Sequence, residues 1–184
     1  MAALLRTTFV RILAFQIFFL LQGLAADDHQ SKDDVVDAFK AMAAFPYAVA
    51  LADTDRDGDL DCMAAVRREY SNDPPRAVFD SFMKRPNGEI RKITYHVKPG
   101  PTIDSVELTV NDDYDHVLEG HFFFSDYKDC LIMEFPIDNK PMCAMWTLKT
   151  TAGDIPAICT EKLQASCEDA VLAYDEATCG PLGI

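Results

Sequence analysis

An acidic segment in the first third of the sequence has the ligand spacing of a calcium-binding loop. Asp53, Asp55 and Asp57 occupy positions 1, 3 and 5 of an EF-hand pattern, and Gly58 occupies position 6. Position 12, where such loops carry a bidentate glutamate, is Ala64. Aliphatic and β-branched segments flank the loop, whereas an EF-hand requires helices. The pattern favours a solvated acidic loop between two strands, and we expect no metal cofactor there.

The sequence has few of the arrangements that catalysis requires. His116 and His121 lie an odd number of positions apart on one predicted strand, so they point to opposite faces and cannot bind one metal ion. His29 and His96 are isolated. The sequence has neither a Gly-x-Ser-x-Gly nucleophile elbow nor a phosphate-binding glycine loop. We therefore expect a binding protein without catalytic residues or an organic cofactor.

The N-terminal residues predict a secretory signal. The apolar run of residues 12–21 has about ten residues, fewer than the roughly 20 that span a bilayer. Basic residues precede the run, the small residues 23–26 follow it, and an acidic segment begins at Asp27. The pattern predicts a signal peptide of residues 1–26 and a secreted, monomeric domain of residues 27–184.

The expected secreted domain is strongly acidic. The whole sequence has 17 basic and 30 acidic residues, a formal net charge of −13. Two of the 17 basic residues lie within residues 1–26, so removal of that segment leaves 15 and changes the net charge to −15. Nucleic acids and anionic membranes attract basic surfaces, so this composition argues against both as partners.

Most of the expected domain is patterned for strands. One short helix is predicted before the strands. Its signals are Ser31 as the N-cap, Phe39 and Met42 at helical spacing, and Pro46 as the terminator. The predicted strands are residues 47–52, 60–70, 77–84, 89–97, 103–110, 116–125, 130–135 and 142–149. Eight hairpin-linked antiparallel strands close an up-and-down barrel that has room for one small ligand, and a two-sheet sandwich is the alternative.

The cysteines predict how the C-terminal segment is attached. All six lie after residue 26, and an oxidising compartment favours three disulfides. After Pro156, Cys159, Leu163 and Cys167 fall on one stripe of a helix, so both cysteines face the same surface. A helix packed outside the barrel would bond them to cysteines of the last two strands and leave one further pair. Cys130 and Cys143 would then bond to Cys159 and Cys167, in either order. Cys62 would bond to Cys179.

Several short motifs recur in one known family. They are an aromatic run that leads through Ser-Asp-Tyr-Lys-Asp to a cysteine, then Cys-Ala-Met-Trp, Ile-Pro-Ala-Ile-Cys and Tyr-Asp-Glu-Ala-Thr-Cys. They occupy residues 122–130, 143–146, 155–159 and 174–179, with Cys167 before the last and residues 61–65 as an early anchor. In their order and spacing, the sequence resembles the tick salivary lipocalins, the family of the histamine-binding proteins.

The resemblance implies an all-β, eight-stranded lipocalin barrel with an internal pocket. It also implies a definite pairing of the cysteines: Cys62–Cys179, Cys130–Cys159 and Cys143–Cys167. The implied function is sequestration of a host mediator such as histamine or serotonin in tick saliva, which suppresses inflammation or haemostasis and so serves evasion of host defence. The alternative is an inhibitor that binds a host protein through the barrel loops.

Two positions depart from the amine-binding members. Leu131 and Ala144 stand where those members carry an aspartate and a glutamate, and a buried ammonium ion needs such a carboxylate partner. That amine subsite is expected to be absent, while a second one that uses Glu107 or Glu119 stays open. Every second residue of a strand faces the same side, so if these two positions face inward, their alternate neighbours do too. The result is an apolar ligand wall suited to an eicosanoid or a sterol. The predicted pocket residues are Phe123, Leu131, Met133, Phe135, Ala144, Trp146 and Leu148.

Overall fold

Strands dominate the computed structural model, which describes residues 35–56, 60–138 and 140–182. The strands are β1 Tyr47–Asp53, β2 Asp61–Asn72, β3 Pro75–Lys84, β4 Ile90–Pro99, β5 Ser105–Val110, β6 Asp113–Ser125, β7 Leu131–Ile137, β8 Lys140–Leu148 and β9 Val171–Leu172. The helices are α1 Ala38–Ala44, α2 Ala157–Ser166 and α3 Glu176–Cys179, with 3₁₀ turns at Lys149–Thr151 and Gly180–Leu182. The predicted signal peptide and Ser31 lie outside the described residues.

The first eight strands form a closed antiparallel barrel. Each pairs with the next in sequence, and β8 returns to pair with β1, which also pairs with β2. Ala48, for example, lies opposite Ala65 of β2 and Leu148 of β8. The short strand β9 pairs with the end of β1, outside this ring. The prediction of an eight-stranded up-and-down barrel is therefore confirmed.

Helix α1 packs against one end of the barrel. Its N-cap is Asp37, whose Oδ1 accepts a hydrogen bond from the Lys40 backbone N–H at 2.9 Å. The helix therefore begins later than the predicted cap at Ser31. The Ala38 N–H donates to the Ile103 carbonyl at 2.9 Å, which ties the helix to the loop between β4 and β5. Met42, which is buried, contributes to the core inside the barrel.

Helix α2 lies outside the barrel wall, where two disulfides attach it. Between them the helix and the strands bury a second, smaller apolar layer that includes Ile132, Met145 and Leu163. The third disulfide ties the C-terminal segment to β2. The three bonds are Cys62–Cys179, Cys130–Cys159 and Cys143–Cys167, the pairing that the family resemblance implies. Of the helices in the described part of the chain, none has the length and apolarity to cross a membrane.

Candidate ligand cavity

The barrel encloses an apolar cavity between α1 and the middle of the strands. The space between its walls measures about 610 Å³ with the solvent at its opening included, and about 80 Å³ can hold the centre of a water-sized sphere. One water molecule needs roughly 10–15 Å³ by that second measure, so the cavity has room for several waters or a slender apolar group. Its lining residues are Met42, Phe45, Ala48, Ala65, Phe79, Ser81, Tyr95, Val97, Val106, Leu108, Phe122, Leu131, Met133, Phe135 and Trp146.

Strands β7 and β8 supply four of the predicted pocket residues, and these lie together on one wall. Leu131, Met133 and Phe135 alternate along β7, as inward-facing residues of a strand must. The ring of Phe135 packs against those of Trp146 and Tyr95, with centroid distances of 5.7 Å and 6.2 Å. The expected apolar wall is therefore a continuous aromatic and aliphatic surface in the structure.

Two further predicted residues belong to the core but not to the cavity. Ala144 is completely buried inside the barrel, and Leu148 packs against the same core while remaining partly exposed. Neither lines the cavity, whose wall on β8 is formed by Trp146. Strand parity predicted the correct face for both residues, but not how far along the strand the open space extends.

The prediction that Phe123 lines the cavity is wrong. Phe123 is 44% exposed, whereas Phe122 is 3% exposed and lines the cavity. A run of three phenylalanines has no apolar–polar alternation, so the sequence could not show which of them faces inward. The pairing of β6 with β7 is also irregular between Phe122 and Phe124, which makes simple parity unreliable there.

Polar groups are sparse in the cavity wall. The Tyr95 hydroxyl donates to the Pro136 carbonyl at 3.2 Å, and burial raises the pKa of this phenol, so it stays neutral. Ser81, which is 4% exposed, contributes a hydroxyl. No described residue that lines the cavity is charged, so the wall is suited to an apolar molecule.

A wider, polar pocket forms the mouth at the opposite end of the barrel, where the hairpins β3–β4, β5–β6 and β7–β8 meet. Arg91 makes a two-point ion pair with Asp138, and this hydrogen bonding holds the pKa of Asp138 below its usual value. His116 and Asp113 form a second pair at the same mouth. Tyr95 lines both pockets and so stands between the polar mouth and the apolar interior.

Asp53, the first residue of the calcium-like pattern, is not part of a solvated loop. It ends β1 and is 1% exposed, so that expectation is wrong for this residue. Its Oδ1 accepts a hydrogen bond from the Asp55 N–H at 2.9 Å, and Oδ2 has no partner among the described residues. Burial raises the pKa of Asp53 to about 7. Its cross-strand partners are Ala144 on β8, which is buried in the barrel core, and Val171 on β9, which is 41% exposed.

The described residues bring few potential metal ligands together. Asp57 and Gly58, which the calcium pattern needs, lie outside the described residues. Elsewhere in residues 35–56, 60–138 and 140–182, one group has three ligand atoms in close reach: Asp126, Cys130 and Cys159. Its two cysteines are bonded to each other, so they are not available as thiolates.

A closed eight-stranded barrel with an interior cavity and a helix against its outer wall defines a lipocalin. Residues 26–180 match the family described as tick histamine binding protein, and the chain belongs to that family. No protein with a curated description matches the sequence.

Solved structures with the same fold share little sequence with this chain. Japanin from Rhipicephalus appendiculatus, solved with cholesterol, matches with a TM-score of 0.55 and 13% identity over 77% of this chain and 98% of Japanin. AM182, solved as a serotonin complex, gives 0.52 and 18% identity over 76% of this chain and 89% of AM182. Lobster apocrustacyanin A1 gives 0.53 and 10% identity over 84% of both chains.

Proposed function

We propose that this protein is secreted in tick saliva and sequesters a small apolar host mediator, an eicosanoid or a sterol, and so suppresses host inflammation or haemostasis. The observation that carries the proposal is the cavity, whose described walls are apolar except for Tyr95, Ser81 and Trp146. Membership of the tick histamine-binding protein family supports the sequestering role, and three disulfides support an extracellular location.

The energetics favour an apolar ligand over a cation in this cavity. Each 100 Å² of apolar surface that ligand and wall remove from water contributes roughly 2.5 kcal/mol. An ammonium ion in the same place costs several kcal/mol unless a carboxylate pairs with it. Leu131 lines the wall at the position where amine-binding relatives are expected to carry an aspartate, so the cavity offers no such partner there.

The size of the cavity favours a slender ligand. About 80 Å³ is open to the centre of a water-sized sphere, so a bulky ligand must displace wall side chains as it enters. Met42 and Met133 both line the cavity, and methionine repacks more easily than branched or aromatic side chains. A fatty-acid chain therefore needs less rearrangement than the rigid ring system of a sterol.

Titration of the purified protein with arachidonic acid, cholesterol, histamine and serotonin tests this proposal. The sequence contains one tryptophan, Trp146, so its fluorescence reports directly on the cavity wall. We expect a response to the two lipids and a weaker one to the amines. Leu131→Asp should weaken lipid binding strongly, whereas the matched variant Phe123→Asp on the exposed outer face should not. Nanomolar histamine binding with no response to either lipid would contradict the proposal.

Amine binding is the second candidate, and the buried carboxyl of Asp53 favours it. One oxygen of this group has no partner among the described residues, and Asp53 pairs across the strands with Ala144, which is buried in the barrel core. A cationic amine could pair with it once a ligand reaches that depth. In this case Asp53→Asn would abolish serotonin binding and leave lipid binding intact. Adding carboxylates with Leu131→Asp and Ala144→Glu together should raise amine affinity.

A further inference from the structure

Trp146 has a buried hydrogen-bond donor without an acceptor. The residue is 5% exposed and lines the cavity, and no group in the described part of the chain accepts a hydrogen bond from Nε1. Buried tryptophans usually place this N–H against an oxygen, because an unpaired buried donor is costly. The missing partner is therefore a feature that needs a physical explanation.

The surroundings of Trp146 explain why the protein itself supplies no acceptor. Its cross-strand neighbours are Ala50 on β1 and Leu131 on β7, and the ring of Phe135 packs against the indole. These side chains are hydrocarbons. A water molecule at Nε1 would find few other polar groups in such a wall, and water is held well only where it makes several hydrogen bonds.

We infer that Trp146 Nε1 selects for a ligand with a hydrogen-bond acceptor, such as the carbonyl, carboxylate, ether or hydroxyl oxygen of an otherwise apolar mediator. The inference rests on the proposed function, because it assigns a chemical feature to the ligand of the same cavity. A site with an unpaired polar group discriminates against an analogue that leaves the group unpaired. An ammonium group has only donors, so it cannot accept a hydrogen bond from Nε1.

The acceptor reaches Nε1 through a small adjustment of the wall, because the nitrogen is buried beneath its neighbours. The planes of Phe135 and Trp146 are tilted by 49° rather than stacked, and Met133 lines the same wall with a flexible side chain. Rearrangement of such wall residues would bring an oxygen of the ligand to the N–H. Ser81 supplies a second hydroxyl in the cavity, which can donate to another oxygen of the ligand.

The test compares two probes of nearly the same shape, the ketone 2-undecanone and the alkene 2-methyl-1-undecene. Each displaces a dansyl-labelled fatty acid from the disulfide-bonded protein. The ratio of ketone affinity to alkene affinity should be about tenfold higher in the wild type than in Trp146→Phe, the change that one hydrogen bond produces. The ketone gives up its hydrogen bonds to water in both proteins, and only the wild type returns one, from Nε1. Phe135→Leu, which removes a neighbouring ring and keeps Nε1, should retain the wild-type ratio.

The outcomes separate this inference from the proposed function. If Trp146→Phe changes the affinity for both probes by the same factor, the inference is overturned and the apolar cavity stands. If the fatty acid and both probes fail to bind the wild type, the proposed function is wrong and the inference with it.

A second readout needs no variant: the single indole N–H signal of ¹⁵N-labelled protein should move downfield with the ketone and not with the alkene. An unmoved signal in saturating ketone would also overturn the inference.

Discussion

Replacement of Asp53 by asparagine should stabilise the protein at neutral and alkaline pH and have little effect in acid. The carboxyl is 1% exposed, and burial raises its pKa from the ordinary 3.8 to about 7. In the unfolded chain the group has its ordinary value. The folded state therefore holds this proton more tightly than the unfolded state does, and stability falls as the pH rises from about 4 to about 7.

The size of the effect follows from the difference between those two pKa values. Each unit corresponds to about 1.4 kcal/mol, so about 4 kcal/mol is the upper limit of the penalty above pH 7. Asparagine has nearly the same shape and keeps an oxygen for the Asp55 N–H, but it does not ionise. About 1 kcal/mol of this penalty is already present at pH 4.5, so the difference in unfolding free energy between Asp53→Asn and the wild type should grow by up to about 3 kcal/mol between pH 4.5 and pH 8.

Urea denaturation of both proteins at pH 4.5, 6 and 8 measures that difference directly. Asp154→Asn, on an exposed loop, is the matched control and should give nearly the same difference at each pH. If the advantage of Asp53→Asn is independent of pH, or larger at pH 4.5 than at pH 8, burial does not control this carboxyl and the argument is refuted.

Three further predictions concern stability. Replacing Cys62 and Cys179 by serine should cost about 2–5 kcal/mol in urea denaturation, because their bond closes a separation of 117 residues; an unchanged midpoint would contradict this. Calcium at millimolar concentration should barely shift the melting temperature, because position 12 of the loop is Ala64; a rise of many degrees that a chelator reverses would reveal a site. Burial alone would raise the pKa of Asp80, but hydrogen bonds, chiefly from Lys92, outweigh it and lower the pKa. Asp80→Asn should therefore be destabilising at pH 7, with the loss fading in acid below about pH 4, and an equal loss at pH 3 would argue against the ion pairing.

The architecture was largely predictable because it depends on local patterns. Apolar–polar alternation separated by turn residues predicted eight strands, and the structure confirms the closed barrel. The helical stripe of Cys159 and Cys167 predicted a helix against the outer wall, which α2 forms. The exact disulfide partners were not derivable from spacing and came from the family resemblance.

The cavity was only partly predictable, because it depends on how strands meet across the barrel. The alternation of inward- and outward-facing residues along β7 and β8 identified four residues that line the cavity: Leu131, Met133, Phe135 and Trp146. The contribution of the opposite strands, such as Phe79, had no comparable signal, because a buried aromatic looks the same whether it fills the core or borders a space. The irregular pairing of β6 with β7 also interrupts the regular alternation of inward- and outward-facing residues at the phenylalanines of β6.

Asp53 shows a different limit of the sequence. Its neighbours form an acidic run that predicts a loop, yet β1 extends through Asp53 by pairing with both β8 and β9. Strand pairing over long sequence distances overrides local composition here. A buried acid within a strand was therefore invisible until the register of β1 with β8 was known.

The most direct test of the central claim is a competition among ligands that mass spectrometry reads out. The disulfide-bonded protein is incubated with equal concentrations of arachidonic acid, cholesterol, histamine and serotonin, separated from free ligand by gel filtration, and extracted. An apolar cavity predicts close to one molecule of lipid for each protein, with arachidonic acid the more abundant lipid and little amine. Recovery of histamine or serotonin in place of the lipids, or of none of the four, would contradict the account.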